Sequence, residues 1–154
     1  MKRYYLAYGS NLNVMQMRFR CPTARVVGTA EIENYELLFK GSKSGSYLTI
    51  EPKVGSKVPV AVWTVEPEDE MALDRYEGFP TFYYKKEMQI VVKGIKTGKE
   101  RMRDTFVYIM HEDRPFGIPT WRYVETCLSG YQRFGFDESH LMNAIQKSRK
   151  EMGI

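Results

Sequence analysis

The sequence predicts an α+β fold, in which a single mixed, partly closed β-sheet or barrel carries helices packed on its outside. Most of the predicted strands follow one another directly along the chain, and helices are interspersed among them without a regular strand-helix alternation. The chain has 154 residues, 43% of them hydrophobic, which is enough to close one full core. Residues 1–154 are therefore expected to form a single domain.

The chain opens with a short apolar strand, residues 4–8, which runs directly into a glycine turn. Gly9 can adopt backbone angles closed to other residues, so the chain can turn abruptly and aim successive N–H groups at one place. Asn13 is expected to cap the first helix, and Gln16 stands three positions later, as in a capping box. The apolar side of this helix is expected to comprise Met15 and Phe19.

The centre of the chain is typical of β-structure. The expected strands comprise residues 24–41 (one or two strands), 47–50, 58–65, 82–92 and 102–110. Pro52 is expected to end the short strand before it, because proline cannot donate to a strand ladder. The last two strands flank a glycine-containing turn and are predicted to form an antiparallel hairpin.

Three further helices are predicted from their start and stop signals. The second begins near Pro67 and ends at Gly78, the third ends at Gly135, and the last is capped by Asp137. Their apolar positions comprise Met71, Ala72, Leu73 and Tyr76 in the second helix, Trp121, Val124, Leu128 and Tyr131 in the third, and Leu141, Ile145, Ser148 and Met152 in the last.

Composition excludes several classes of function. The net charge of +4 is spread along the chain, so the concentrated basic stripe of a nucleic-acid-binding protein is missing. No stretch approaches the ~20 apolar residues of a membrane helix, and the N-terminus lacks a secretory signal, so we expect a cytoplasmic protein without a membrane partner. Cys21 and Cys127 are expected to be buried free thiols. His111 and His140 stand in no metal-binding pattern, and we expect no metal site.

The junction of the first strand and first helix is a candidate anion site. A strand, a glycine turn and a helix start bring unpaired amides and the positive end of a helix dipole together. Such a turn can equally be structural, so this signal is weak by itself.

Glu77 is a candidate acid/base. It lies at the end of the second helix, where the dipole disfavours a negative charge. If Tyr76, Phe79 and Phe82 also desolvate it, both effects raise its pKa toward the range that proton transfer near neutral pH requires. The alternative is that Glu77 has no catalytic role and is either exposed on the surface or paired with Arg75.

Two motifs together resemble the signatures of the gamma-glutamyl cyclotransferase family. The first is Tyr8-Gly9-Ser10-Asn11-Leu12 after an N-terminal strand, and the second is Glu77-Gly78 after a helix and before a tyrosine-bearing strand. The resemblance implies that Glu77 is the catalytic acid/base and that the loop amides hold the glutamyl part of the substrate. It also implies substrate-binding positions at Tyr8, Gly9, Ser10, Asn11, Leu12, Tyr83, Tyr108 and Tyr123.

The resemblance further implies an enzyme that cyclises a γ-glutamyl amide or γ-glutamylamine, releasing 5-oxoproline and a free amine without any cofactor. The alternative is a non-catalytic binding module of the same fold for an anionic metabolite or a protein partner. The sequence leaves open the leaving amine, the oligomeric state, the role of the last helix, and whether the loop amides hold the α-carboxylate or the oxyanion. Residues 111–119 and the last helix are expected to form the pocket rim that selects the leaving amine.

Overall fold

In the part of the chain that the structure describes, the β-sheet closes into a five-stranded barrel with the strand order β1-β3-β2-β4-β5. The computed structural model describes residues 2–154. The strands are β1 (Arg3–Ala7), β2 (Arg25–Ser42), β3 (Gly45–Val65), β4 (Tyr83–Gly94) and β5 (Glu100–Met110). β1 runs parallel to β5 and antiparallel to β3, which makes the sheet mixed. The predicted fold class is confirmed, and the sheet closes fully.

Within residues 2–154, four helices and one 3-10 turn accompany the barrel. They are the 3-10 turn (Ser10–Leu12), α1 (Val14–Arg20), α2 (Pro67–Glu77), α3 (Trp121–Phe134) and α4 (Ser139–Met152). The predicted stop signals are confirmed at Gly78 and Gly135, which adopt left-handed backbone angles with φ of 65° and 70°. The predicted cap of α1 is confirmed as well, since the Asn13 side chain accepts a hydrogen bond from the N–H of Gln16 at 3.0 Å.

The predicted break at Pro52 is wrong, because β2 and β3 form one long hairpin. Pro52 pairs with Tyr35, next to a register shift between Glu33 and Tyr35. The pairing of β3 with β1 begins only at Ala61, so Pro52 lies where β3 pairs only with β2 in the described part of the chain. A proline is compatible with a strand at such an edge and beside an irregularity.

The predicted apolar side of α1 is also wrong. Met15 and Phe19 are 81% and 91% exposed, whereas Val14 and Met17 face the core. Both pairs have helical spacing in a helix of only seven residues, so periodicity could not choose between them. Other predicted core positions that are exposed are Met71, Tyr76, Trp121 and Met152.

Cys21 and Cys127 are free and buried, as predicted. Among residues 2–154, no helix combines the length and the apolar character that crossing a membrane requires.

Helix α3 approaches the 3-10 turn very closely at Gly130. A Cβ atom added to Gly130 would lie 2.3 Å from the Leu12 Cβ and 2.6 Å from the Leu12 carbonyl carbon. Because one of these atoms belongs to the backbone, relief would require the turn itself to move. This contact therefore fixes the position of the turn against α3.

Replacing Gly130 with alanine should lower the free energy of unfolding by about 1–3 kcal/mol through overpacking. The direction of this change in the free energy of unfolding is informative, because glycine-to-alanine changes inside an unobstructed helix stabilise it by about 1 kcal/mol. Urea denaturation measures the difference, with Ser129→Ala, an exposed neighbour in the same helix, as the control. A Gly130→Ala protein that is more stable than the parent would contradict the contact.

Candidate active site

The turn after β1 carries three N–H groups that have no acceptor among the described residues. Within the turn, the N–H of Leu12 donates to the carbonyl oxygen of Gly9, and the N–H of Asn13 donates to that of Ser10, each at 3.0 Å. The N–H groups of Gly9, Ser10 and Asn11 make no hydrogen bond to another atom of residues 2–154. Three consecutive unpaired donors can hold an oxyanion or a carboxylate.

Side-chain hydrogen bonds fasten this turn to the neighbouring elements. The hydroxyls of Ser10 and Tyr76 lie 2.7 Å apart, which joins the turn to the end of α2. The Asn11 amide donates to the Tyr5 hydroxyl at 2.9 Å and accepts from the Arg20 guanidinium. That guanidinium also stacks on the Tyr76 ring, 3.4 Å from its centroid. Arg20 therefore links the turn to the residue that precedes Glu77.

Glu77 is the last residue of α2, and its carboxyl group has no hydrogen-bond or ion-pair partner in the described part of the chain. It makes no hydrogen bond or ion pair within residues 2–154, so the alternative of an ion pair with Arg75 is not observed. Burial raises the pKa of Glu77 to about 8, and the positive charge of Arg20 opposes this rise. The carboxyl group can therefore both release and take up a proton near neutral pH.

The unpaired amides and Glu77 line the same small inner cavity, which has a volume of about 20 Å³. Its lining comprises Tyr5, Leu6, Tyr8, Gly9, Ser10, Asn11, Leu48, Glu77, Tyr83, Tyr108 and Tyr123. The structure thus brings together every predicted site residue except Leu12. Leu12 is fully buried, and its N–H is already paired with Gly9.

An outer cleft of about 420 Å³ adjoins the inner cavity. Both are lined by Ser10, Glu77, Tyr83 and Tyr123, so Glu77 lies where they meet. Of the rim predicted from the sequence, Arg114 lines the outer cleft, whereas no residue of α4 does. A larger groove of about 790 Å³ lies between β2 and β4 and contains none of the predicted site residues.

Two of the cavity tyrosines hold the backbone of Leu48. The Tyr83 hydroxyl donates to the Leu48 carbonyl oxygen at 2.8 Å, and the Tyr123 hydroxyl accepts from the Leu48 N–H at 3.1 Å. Gly9 packs beside them, because a Cβ added there would lie 3.3 Å from the Tyr123 hydroxyl. These contacts close one wall of the cavity.

Two more of the cavity tyrosines, Tyr8 and Tyr108, connect the end of β1 to α2 through β5. The Tyr8 hydroxyl donates to the Tyr108 carbonyl oxygen at 2.7 Å, and the Tyr108 hydroxyl donates to the Asp74 carboxylate at 2.6 Å. Burial raises the pKa of both tyrosines, so both stay neutral. Their hydroxyls are committed to protein atoms, and their rings form apolar walls.

Sequence reasoning missed Tyr5, Arg20 and Tyr76. Tyr5 was assigned only to the first strand, and Tyr76 to an apolar helix side and to the aromatic surroundings of Glu77, although a phenol among charged neighbours can carry a polar contact. Arg20 offered no signal beyond a basic residue at a helix end, because its partners are distant in sequence or reached through stacking. Among residues 2–154, no three His, Cys, Asp or Glu side chains lie close enough to hold a metal ion.

The raised pKa of Glu77 should appear as a pH-dependent stability difference. The folded-state pKa of about 8 lies above the ordinary value of 4.5, so ionisation of Glu77 favours unfolding as pH rises between these values. Glu77→Gln, which stays neutral, should raise the free energy of unfolding by about 1–3 kcal/mol above pH 8 and by little below pH 5. Urea denaturation across this range measures the effect, with the exposed Glu68→Gln as the control. A difference that does not change with pH would contradict the raised pKa.

Removing the guanidinium of Arg20 should raise the pKa of Glu77 further, because the nearby positive charge holds it down. Carboxyl ¹³C NMR titration of Arg20→Gln measures the shift. Arg18→Gln, an exposed position in the same helix, should leave the titration unchanged. An unchanged or lowered pKa in Arg20→Gln would refute the electrostatic link.

Comparison with known proteins agrees with these features. Residues 5–134 match the family described as "Gamma-glutamyl cyclotransferase, AIG2-like". Gamma-glutamylcyclotransferase of Homo sapiens is 27% identical over 139 residues, which cover 85% of this chain and 71% of that protein. The Mus musculus gamma-glutamylcyclotransferase is 26% identical over 144 residues, which cover 88% of this chain and 73% of that protein.

Solved structures show the same fold. A gamma-glutamyl cyclotransferase superposes with a TM-score of 0.74 at 23% identity, covering 97% of this chain and 87% of the other. A yeast gamma-glutamyl cyclotransferase specific to glutathione superposes with a TM-score of 0.63 at 13% identity, covering 97% and 96% of the two chains. The family match over most of the chain confirms the resemblance read from its two motifs: this protein belongs to the gamma-glutamyl cyclotransferase, AIG2-like family of enzymes.

Proposed function

We propose that this protein cyclises a γ-glutamyl amide or γ-glutamylamine within the substrate itself, releasing 5-oxoproline and a free amine. The observation that carries the proposal is the cavity in which the unpaired Glu77 carboxyl group meets three unpaired backbone N–H groups. The relatives named gamma-glutamylcyclotransferase in human and mouse support it. Membership of the family alone would leave the reacting residues unassigned.

The reaction needs positioning more than it needs a strong reagent. The α-amine of a γ-glutamyl group lies in the same molecule as the γ-carbonyl carbon that it attacks, and closure gives a five-membered ring. Holding the glutamyl chain in a folded conformation brings the two atoms together and replaces a bimolecular encounter. The aromatic walls of Tyr5, Tyr8, Tyr83 and Tyr108 suit this task, because aromatic rings are rigid and the Tyr5 and Tyr108 rings pack edge-on at 5.8 Å.

Glu77 moves the protons. As a carboxylate it accepts a proton from the α-ammonium group, which frees the amine to form a C–N bond with the γ-carbonyl carbon. As an acid it then donates that proton to the departing nitrogen while the original amide bond breaks, and the ring nitrogen releases its second extra proton to solvent. Since the pKa of Glu77 is about 8, both protonation states are accessible near neutral pH.

The N–H groups of Gly9, Ser10 and Asn11 hold negative charge on the substrate. Their target is either the α-carboxylate or the oxyanion that forms on the γ-carbonyl oxygen. The hydrogen bonds that Asn11 makes with Tyr5 and Arg20 fix the turn, so the donors need little rearrangement during the reaction. No proposed step uses a metal or an organic cofactor.

Substrate entry requires the inner cavity to widen. A volume of about 20 Å³ holds about one water molecule, whereas a glutamyl unit is far larger. The outer cleft, at about 420 Å³, has the size typical of a small-molecule site. We therefore place the glutamyl unit across the junction of the two, where Glu77 and Tyr123 line both.

The competing function is a binding module that holds an anionic metabolite without reaction. The carboxyl group of Glu77, which has no partner within residues 2–154, disfavours it, because a site that only holds an anion has no need for a proton-transferring group beside the binding amides. Such a module would bind a γ-glutamyl compound and release it unchanged.

Incubation of the purified protein with a panel of γ-glutamyl amides should yield 5-oxoproline, detected by mass spectrometry. Glu77→Gln should reduce the rate by a factor of about 10² or more, since it removes the group that transfers protons. Glu68→Gln, on the exposed side of the same helix, should retain the parent rate. Full activity in a folded Glu77→Gln protein would refute the role of Glu77, and binding without product would favour the module.

A further inference from the structure

We propose that Tyr76 is a positioning residue for the cyclisation and acts together with Arg20. These two side chains keep the amide turn, residues 9–11, at a fixed separation from the Glu77 carboxyl group. The inference rests on the proposed function and adds two residues that neither sequence motif contains. Tyr76 lines the outer cleft and not the inner cavity, so its role is to place the groups that react.

The two halves of the site come from separate parts of the chain. The amide turn follows β1, whereas Glu77 ends α2, and no hydrogen bond within residues 2–154 joins the Glu77 carboxyl group to the turn. Neighbouring residues must therefore set the gap between them. Of the side-chain hydrogen bonds that α2 makes in the described part of the chain, the one between Tyr76 and Ser10 is the one that reaches the turn.

The Tyr76 hydroxyl lies close in the chain to both reacting groups. Its oxygen is 2.7 Å from the hydroxyl oxygen of Ser10. Tyr76 directly precedes Glu77, and the N–H of Ser10 is itself one of the three unpaired donors. Burial raises the pKa of Tyr76, so its hydroxyl stays neutral. This single hydrogen bond therefore sets how far the carboxyl group lies from the donors.

Arg20 holds the ring of Tyr76 and the turn at the same time. Its guanidinium carbon lies 3.4 Å from the centroid of the Tyr76 ring, and one of its nitrogens donates to the side-chain oxygen of Asn11. A planar guanidinium suits both contacts, because it stacks on an aromatic face while donating hydrogen bonds from its edge. Although Tyr76 is 44% exposed, its hydroxyl and its ring are therefore both fixed.

The charge of Arg20 also acts on Glu77. Arg20 forms no ion pair within residues 2–154, and its charge opposes the burial that raises the pKa of Glu77 to about 8. The phenols that interact with Glu77 are Tyr5, Tyr8, Tyr76, Tyr83, Tyr108 and Tyr123. Burial raises the pKa of each phenol, so they carry no charge. Arg75 and Arg114 line the outer cleft with Glu77, but the cation that lowers the pKa of Glu77 is Arg20.

Replacing Tyr76 with phenylalanine tests the positioning role. Tyr76→Phe keeps the ring on Arg20 and removes the hydrogen bond to Ser10. With the γ-glutamyl amide of the panel that the parent turns over fastest, kcat should fall about 3- to 10-fold, as for one lost hydrogen bond, while KM stays within about twofold. Tyr35→Phe, in the groove between β2 and β4, should keep the parent values. An unchanged kcat, or a loss that appears in KM alone, would overturn the proposal.

A second background separates positioning from a direct contact with the substrate. Ser10→Ala removes the partner of the Tyr76 hydroxyl and leaves the N–H of residue 10 in place. Adding Tyr76→Phe to Ser10→Ala should therefore change kcat by less than about twofold. A further fall as large as in the parent background would show that the hydroxyl acts on something other than Ser10, which would overturn the proposal.

The pH profile tests the part of Arg20 with a readout that loosened packing would not move. Arg20→Gln removes the charge that lowers the pKa of Glu77, so the acid limb of kcat/KM should move to higher pH. Tyr76→Phe keeps the charge and should leave the limb in place, as should Arg18→Gln, an exposed position in the same helix as Arg20.

A loss of activity in Arg20→Gln that is equal at every pH would overturn the role of Arg20. Arg20→Lys keeps the charge without the planar group, so its acid limb should lie closer to that of the parent than the limb of Arg20→Gln does. Absence of 5-oxoproline from the parent protein with every amide of the panel would instead overturn the proposed function and, with it, this inference.

Discussion

The docking of α2 on the barrel is the constraint on which the site depends. Lys85 of β4 lies between two carboxylates of α2, 2.6 Å from Glu70 and 3.0 Å from Asp74. Tyr108 of β5 donates to the same Asp74. The Lys85 and Glu70 side chains are only 19% and 16% exposed, so loss of one partner would leave a poorly solvated charge behind. This network fixes the end of α2, and with it Glu77, without using Glu77 itself.

The beginning of α2 is also anchored, by hydrogen bonds to a buried carboxylate. The buried carboxylate of Asp69 accepts from the N–H of Glu66 at 3.0 Å and from the Thr23 hydroxyl at 2.5 Å. These bonds tie the helix start to the segment that follows α1. Because both ends of a rigid helix are anchored, its last residue has little freedom, and Glu77 can lack a partner without the helix shifting to supply one.

What the sequence could predict was local in origin. The cap at Asn13 and the stop at Gly78 depend on neighbours in the chain, and both were predicted correctly. The path of β3 through Pro52 depends on whether a second strand lies beside it, which only the closed barrel decides. The exposure of Phe19 and the stacking of Arg20 on Tyr76 likewise depend on how α1 packs against the rest of the protein. The periodicity of the sequence does not specify that packing. The two motifs together indicated residues that line one cavity. They gave no information about the contacts that hold these residues in place.

The protein must keep the unpaired groups of the site from forming hydrogen bonds with one another. The Glu77 carboxyl group and the turn amides would each gain from a hydrogen bond, and the cavity between them is small. The contact of Gly130 with Leu12 fixes the turn against α3. The hydrogen bonds of Tyr83 and Tyr123 to the Leu48 backbone fix the adjoining wall of the cavity. The barrel thus supplies the rigidity, and the free energy given up at the unpaired groups becomes available to a substrate that pairs with them. An acid that had found a partner within the protein would be more stable and less able to exchange protons.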